Sequence, residues 1–287
     1  MKKFTKVLAL ALVAVICLGM LAACGKVEKD DTPASKVIDI PLTDELYAFG
    51  VDKDQPELLE KVNEFIAQIM EDGTFDEICN NYFGDGTPVA VEPVDRNDAK
   101  DQLVVATNAE FEPFEYKKGN KYYGVDMEIA AKLAEYLDVE LVIENMKFDA
   151  VCLSVGNHQC DIAMAGLTVK PEREEMVTFS DTYYTASQKL IVPGDNTEFD
   201  DCKTAEDVIA ILDKKDDSTK IGFQNGTTGQ FFVVGDDEWE FEGFKVSSAG
   251  YSSGSLAVQD MIHGNVDYVI IDSAPAICIT EAINAVS

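Results

Sequence analysis

From residue 103 to 283 the chain alternates between strand-like and helix-like stretches, and this alternation most constrains its fold. Strand patterns recur at LVVATN (103–108), ELVIENM (140–146), DIAMAGL (161–167), KLIVP (189–193), KIGFQ (220–224), FKVSS (244–248) and DYVIID (267–272). Helical patterns fall between them at Val125–Leu137, 148–155, 171–176, Ala205–Leu212, 227–233, 255–262 and 274–283. In Val125–Leu137 the spacing turns Met127, Ala130, Leu133, Ala134 and Leu137 inward. Such an order predicts an α/β fold with mainly parallel sheets. There is no internal repeat.

The region before residue 103 is built differently. KVIDI (36–40) reads as a short strand and LYAFGV (46–51) as an extended apolar stretch. Asp54 and Pro56 then announce a helix. Leu58, Leu59, Val62, Phe65, Ile66, Ile69 and Met70 recur on one face of it until Gly73. A second short helix carries Phe75, Ile78 and Tyr82 and closes at Gly84. Residues 85–101 (DGTPVAVEPVDRNDAKD) are polar, hold two prolines and show no period, as a linker does.

Residues 1–23 have the form of a secretory signal. Lys2, Lys3 and Lys6 precede a short apolar run that ends in Leu21-Ala22-Ala23-Cys24. That ending resembles a lipobox, so Cys24 is the expected lipid attachment site, with 24–35 as a tether. The body is expected outside the cytoplasm, held to the bacterial cell membrane only by the lipid. With 23 basic and 53 acidic residues, the formal net charge is −30. Such a surface repels nucleic acid and anionic membrane, which excludes nucleic-acid binding. Past the anchor stand Cys79, Cys152, Cys160, Cys202 and Cys278, an odd number that leaves at least one thiol free or paired outside the chain. Cys152 with Cys160 is one possible disulfide; free buried thiols are the other reading. No Cys or His spacing suggests a metal, and no cofactor motif occurs.

Five stretches at the carboxyl ends of strands hold the candidate site, where open α/β sheets bind ligands. They are TNAEFEPFEY (107–116) with Asn108 and Phe111, the helix opening at Phe148, AGLTVKPER (165–173) with Gly166, Thr168 and Arg173, QNGTTG (224–229) with Gln224, Thr227 and Thr228, and Asp272. The set is complementary to a free amino acid. Arginine grips a carboxylate through parallel hydrogen bonds. A carboxylate such as Asp272 accepts from an ammonium, and two aromatic rings can sandwich a side chain.

The motifs TNAEFEPFEY, YYGVDMEIAAKLAEYL, AGLTVKPEREEMVTFSDTYY, IGFQNGTTG and VDYVIIDSAPA resemble the extracellular solute-binding proteins of family 3, the polar amino-acid class. The resemblance implies a two-lobed periplasmic-binding-protein type II fold with a two-stranded hinge. It implies that Arg173 binds the ligand α-carboxylate beside donors at Gly166 and Thr168. Gln224, Thr227 and Thr228 would close from the second lobe, Asp272 would hold the α-amino group, and Phe111 and Phe148 would flank the side chain. Asn108 stands where many relatives carry an Asp that reads the side chain, so a polar ligand need not be cationic. The implied function is an anchored, monomeric receptor that delivers a free amino acid to an ABC transporter permease.

The order of the segments departs from the family. The run DELYAFGVDKDQPELLEKVNEFIAQIMEDGTFDEICNNYFG (44–84) resembles the family's closing segment, yet it comes first. The reading is a circular permutation. Residues 36–45 would belong to lobe 2 and 46–84 to lobe 1. The linker 85–101 would join the usual termini, with 102–190 in lobe 1 and 191–287 in lobe 2. The hinge crossovers would fall near 46–51 and 189–193. The rival is a remnant of tandem genes.

Two other functions compete. One is an enzyme on the same fold, similar to a cyclohexadienyl dehydratase, with Glu110 as the unassigned acid or base. Gly250-Tyr251-Ser252-Ser253-Gly254 also fits G-x-S-x-G. However, Asp260 and His263 fall in the helix that follows, so a helix N-cap is the better reading of the serines. The other function is a ligand sensor for a signalling partner.

Overall fold

Two five-stranded sheets, a three-stranded sheet and a two-stranded ribbon organise the chain, which is described here by a computed structural model over residues 32–237 and 239–286. The strands are Ser35–Ile38 (β1), Glu45–Tyr47 (β2), Gly50–Asp52 (β3), Gln102–Thr107 (β4), Glu110–Phe111 (β5), Glu115–Lys118 (β6), Lys121–Tyr123 (β7), Glu140–Asn145 (β8), Ile162–Ala163 (β9), Val177–Phe179 (β10), Tyr184–Ala186 (β11), Gln188–Pro193 (β12), Lys220–Gln224 (β13), Ser247–Tyr251 (β14) and Tyr268–Asp272 (β15). The helices are Pro56–Glu71 (α1), Thr74–Phe83 (α2), Val125–Leu137 (α3), Phe148–Gly156 (α4), Pro171–Glu174 (α5), Ala205–Leu212 (α6), Thr228–Val234 (α7), Gly254–Ile262 (α8) and Ser273–Asn284 (α9). Cys24 and the signal-like segment lie outside the described residues. Among the described residues no helix is long and apolar enough to cross a membrane.

The first sheet runs β10-β3-β9-β4-β8 and defines lobe 1. Its β9, β4 and β8 are parallel, while β3 lies antiparallel between β10 and β9. The second sheet runs β1-β12-β15-β13-β14 and defines lobe 2. There β15, β13 and β14 are parallel, and β12 is antiparallel to both β1 and β15. Of these parallel strands, β4, β9, β13 and β15 are largely buried, which is why they read as continuous apolar runs, while the edge strands β8 and β14 are more open.

Helix α1 forms as its pattern predicts. Pro56 sits in the first turn, Glu57 complements the helix dipole, and Val62, Phe65, Ile66 and Ile69 are buried along one face. That face shares a core with Leu103, Val105, Ile129 and Leu133. Through β3, which pairs with β9 and β10, the early segment joins the first sheet, beside strands that follow it by some fifty residues of chain. Residues 85–101 connect the two and lie against lobe 1. Val91 bridges Tyr122, and the Val94 amide donates to the Leu141 carbonyl at 2.9 Å. The described ends also meet: the Ser35 amide donates to Asn284 Oδ1 at 3.1 Å, and Asn284 Nδ2 donates to the Ser35 carbonyl at 2.8 Å.

Three local expectations shift. KLIVP is not a crossover: it forms β12 inside the sheet of lobe 2, where its apolar side chains are buried. The ribbon between the lobes is β2 paired with β11, Glu45 opposite Ala186 and Tyr47 opposite Tyr184. FKVSS is not the strand; β14 begins at Ser247 because Phe244 turns into an aromatic cluster with Phe232 and Phe241. All five cysteines among the described residues are free thiols, so Cys152 and Cys160 are not joined.

Candidate ligand site between the lobes

Arg173 is placed by α5, a single turn that Pro171 starts. The residue is only 5% exposed. Its guanidinium donates to the Thr168 carbonyl at 2.7 Å within lobe 1 and to the Gly226 carbonyl at 3.1 Å across the cleft. It also lies 5.3 Å from the centre of the Phe148 ring. These two bonds use part of its five-donor fork and aim the rest.

A small cavity of about 10 Å³, room for about one water, lies there, lined by Phe111, Phe148, Gly166, Thr168, Arg173, Thr227, Thr228 and Asp272. Eight of the ten residues singled out from sequence thus surround one space. The other two, Asn108 and Gln224, bond each other instead. Gln224 Nε2 donates to Asn108 Oδ1 at 2.9 Å, and Asn108 Nδ2 donates to the Met146 carbonyl at 2.7 Å. Gln224 Oε1 is buried with no partner among the described residues.

Gly166 has φ +52°, and a Cβ there would press on the rings of Phe111 and Tyr47 at 3.1–3.2 Å, so the turn requires glycine. Its amide is not free for a ligand, because it donates to Asp126 Oδ2 at 2.8 Å. Nor is the Thr168 hydroxyl a free donor: it donates to Glu45 Oε2 at 2.6 Å. The Gly166 amide and the Thr168 hydroxyl are therefore turned to internal carboxylates, while the Thr168 backbone amide, in a non-hydrogen-bonded pair with Tyr47, is not spent on β2.

Asp272 ends β15 and is 3% exposed. Burial pushes its carboxyl up to about 7, the Glu45 charge adds to this, and hydrogen bonds from Tyr47 and Gln188 oppose it. The Tyr47 hydroxyl donates to Asp272 Oδ2 at 2.6 Å. Burial likewise pushes Asp126 up to about 7, against bonds from the Gly166 amide and the Tyr183 hydroxyl. Glu115 is fully buried, both its oxygens lack partners among the described residues, and burial raises it well above the carboxylate range.

Glu45, Tyr47, Thr43 and Gln188 form the underside of the site, and sequence reasoning missed all four. Polar residues two apart on an otherwise apolar hinge strand, Glu45 and Tyr47, are the signal that could have found them. A second missed arrangement lies outside the cleft. Asp52, Asp54 and His158 bring ligand-capable atoms within 4.8 Å of one another. His158 Nδ1 is 2.7 Å from Asp52 Oδ2, and that bond raises the imidazole above its ordinary value.

The enzyme residues are not assembled. Glu110 is exposed and does not line the cavity. Ser253 caps α8, accepting from the Leu256 amide. Asp260 accepts from Tyr251, and His263 Nδ1 lies 2.8 Å from the Gln259 carbonyl, so no triad forms.

Two lobes, a two-stranded hinge and a small cleft cavity between them make a two-lobed binding-protein architecture. The chain matches the bacterial extracellular solute-binding proteins, family 3, over residues 7–85 and 103–264, and it belongs to that family. It is 36% identical over 97 residues to an arginine-binding extracellular protein of Bacillus subtilis (strain 168), covering 34% of this chain and 38% of that one. It is 26% identical over 178 residues to an ABC transporter arginine-binding protein of Escherichia coli (strain K12), covering 61% and 65%. The crystal structure of an ancestral amino acid-binding protein, a precursor of cyclohexadienyl dehydratase, superposes with TM-score 0.54 at 31% identity, over 63% of this chain and 74% of that one. The chain thus spans 38% and 65% of the length of these two curated relatives, less than two thirds of each.

Proposed function

We propose that this protein is an extracytoplasmic receptor that binds a free amino acid between its lobes and delivers it to an ABC transporter permease. One observation carries the reading: a single cavity is lined by a guanidinium, Arg173, and by the acceptors Asp272, Thr168 and Thr228. An α-amino acid needs this pairing of opposite polarities. Its carboxylate meets the arginine fork, and its ammonium meets the acceptors. Phe111 and Phe148 flank the side chain. Ligand contacts to both lobes favour closure. Two relatives are named for arginine, which makes a polar, nitrogen-bearing side chain the first candidate here. The receptor acts as a monomer, anchored by lipid on Cys24, and uses no cofactor, metal or nucleic acid.

The test compares the bound amino acid with two analogues, its methyl ester and its decarboxylated amine. Both analogues lose at least a hundredfold in affinity if Arg173 holds the carboxylate. Equal binding of the amine sinks the reading.

The segment order is a circular permutation of the family. The shared core of α1 with Leu103 and Leu133, and the bonds between Ser35 and Asn284, support it. A linker that spans the old ends keeps every core contact.

An enzyme on this fold is the second reading, favoured only by Asp272, whose carboxyl near 7 could serve as an acid. Turnover of a cyclohexadienyl substrate, lost in Asp272→Asn, would support that reading over the receptor.

A further inference from the structure

Glu45 is 3% exposed on the hinge strand β2, between the lobes. It does not line the cavity, yet it bonds two residues that do. Its Oε2 accepts from the Thr168 hydroxyl of lobe 1 at 2.6 Å and from the Thr228 hydroxyl of lobe 2 at 2.7 Å. Its Oε1 accepts from the Thr43 hydroxyl at 2.7 Å and from Gln188 Nε2 at 3.0 Å. Gln188 Nε2 also donates to Thr228 Oγ1 at 3.0 Å.

A hydroxyl has one hydrogen and two lone pairs. Both threonines have given their hydrogen to Glu45, so what they turn to the cavity is lone pair. A carboxylate can enforce this because it only accepts. A glutamine at the same place brings two N–H donors: turned to the threonines they reverse both hydroxyls, and turned to Thr43 and Gln188 they meet the Gln188 amide that Glu45 now accepts from, so the hold on the threonines is lost or weakened.

We infer that Glu45 is the positioning residue that fixes the polarity of the ammonium subsite, by holding the Thr168 and Thr228 hydroxyls as acceptors from both lobes at once. This rests on the amino-acid reading of the cavity. It explains how a site can discriminate an ammonium from a hydroxyl of nearly the same size. It also ties that discrimination to closure, because only the closed arrangement lets one carboxylate reach a threonine of each lobe.

The experiment measures wild type and Glu45→Gln by calorimetric titration. The ligands are the amino acid that most raises the wild-type melting temperature and the α-hydroxy acid with the same side chain, from pH 5.5 to 8. The expected result is a preference for the amino acid that falls at least tenfold, through a loss of amino-acid affinity. The acid limb of binding also moves to lower pH, because the Glu45 charge no longer opposes ionisation of Asp272. The other titratable groups near Asp272 are Tyr47, Glu115, Tyr184 and Arg173, and these are unchanged in the variant. Equal weakening of both ligands, or an unmoved pH limb, would overturn the inference. Should Glu45→Gln not fold, Thr168→Val tests the same polarity: an unchanged preference there overturns it equally. If wild type binds no amino acid, the receptor reading fails first, and the two failures are told apart.

Discussion

Gln224 of lobe 2 donates to Asn108 of lobe 1 at 2.9 Å, a buried side-chain bond across the cleft beside the ligand cavity. Both residues are nearly inaccessible, at 1% and 5% exposure. The bond exists only while the lobes are closed. Gln224→Leu leaves Asn108 Oδ1 without its donor, at a cost of about 1–3 kcal/mol. Ligand affinity is expected to fall roughly 5- to 100-fold by the same energy scale. A titration that finds Gln224→Leu binding as tightly as wild type would remove this bond from the closed state.

Lys170 and Asp236 form a second bridge between the lobes, at 2.9 Å, with both side chains almost fully buried. The ammonium also sits 4.6 Å from the Trp239 ring and 5.2 Å from the Phe231 ring. Neither Lys170 nor Asp236 lines the ligand cavity. Lys170→Met keeps the stem but removes the charge, and breaking a buried pair costs on the order of 3 kcal/mol. The variant should bind ligand at least tenfold more weakly. Its dissociation should speed up more than its association slows, which stopped-flow fluorescence of Trp239 would measure.

Stability without ligand should fall as pH rises from about 4 to about 7, between the ordinary carboxylate value and the raised folded one. Asp126 and Asp272 are both pushed up to about 7 by burial. The folded state therefore holds protons that the unfolded chain has already lost above its ordinary carboxylate value. Their contribution is fully present below that value and is lost as pH rises through the folded value, by about 1.4 kcal/mol per pH unit per carboxyl. Glu115 acts in the same direction. Asp272→Asn should flatten the slope of melting temperature against pH. A melting temperature that climbs from pH 5.5 to 7.5 would show that these carboxyls are ionised throughout.

A gene rearranged to carry residues 36–84 after residue 286, with the linker opened, should yield the same fold and the same ligand preference. Ser35 and Asn284 already touch, so the new join needs only a short loop. Circular dichroism and a melt with ligand decide it. A rearranged chain that cannot fold would count against the permutation.

Much of the fold was legible because buried parallel strands and amphipathic helices leave local patterns. The face of α1, the helix α3 and the strands β4, β8, β13 and β15 all lie near where their spacing placed them. Eight cavity residues were legible because each lies at or beyond a strand end in one of five recognisable stretches. What was hidden depends on contacts distant in sequence. Glu45 is one acid among 53 acidic residues, and its only local mark is the two-residue spacing to Tyr47 on β2. Lys170 meets Asp236 only when two lobes close. The hinge was misplaced by a few residues because Leu190, Ile191 and Val192 are equally apolar in a connection and in a sheet.

The most direct measurement is a thermal-shift screen of the protein against the twenty amino acids and cystine. A ligand that binds only the folded state raises the melting temperature by mass action. The account predicts a clear shift with at least one polar amino acid, abolished by Arg173→Ala and strongly reduced by Asp272→Asn. A cooperative melt that no amino acid moves, or a shift that survives Arg173→Ala, would contradict it.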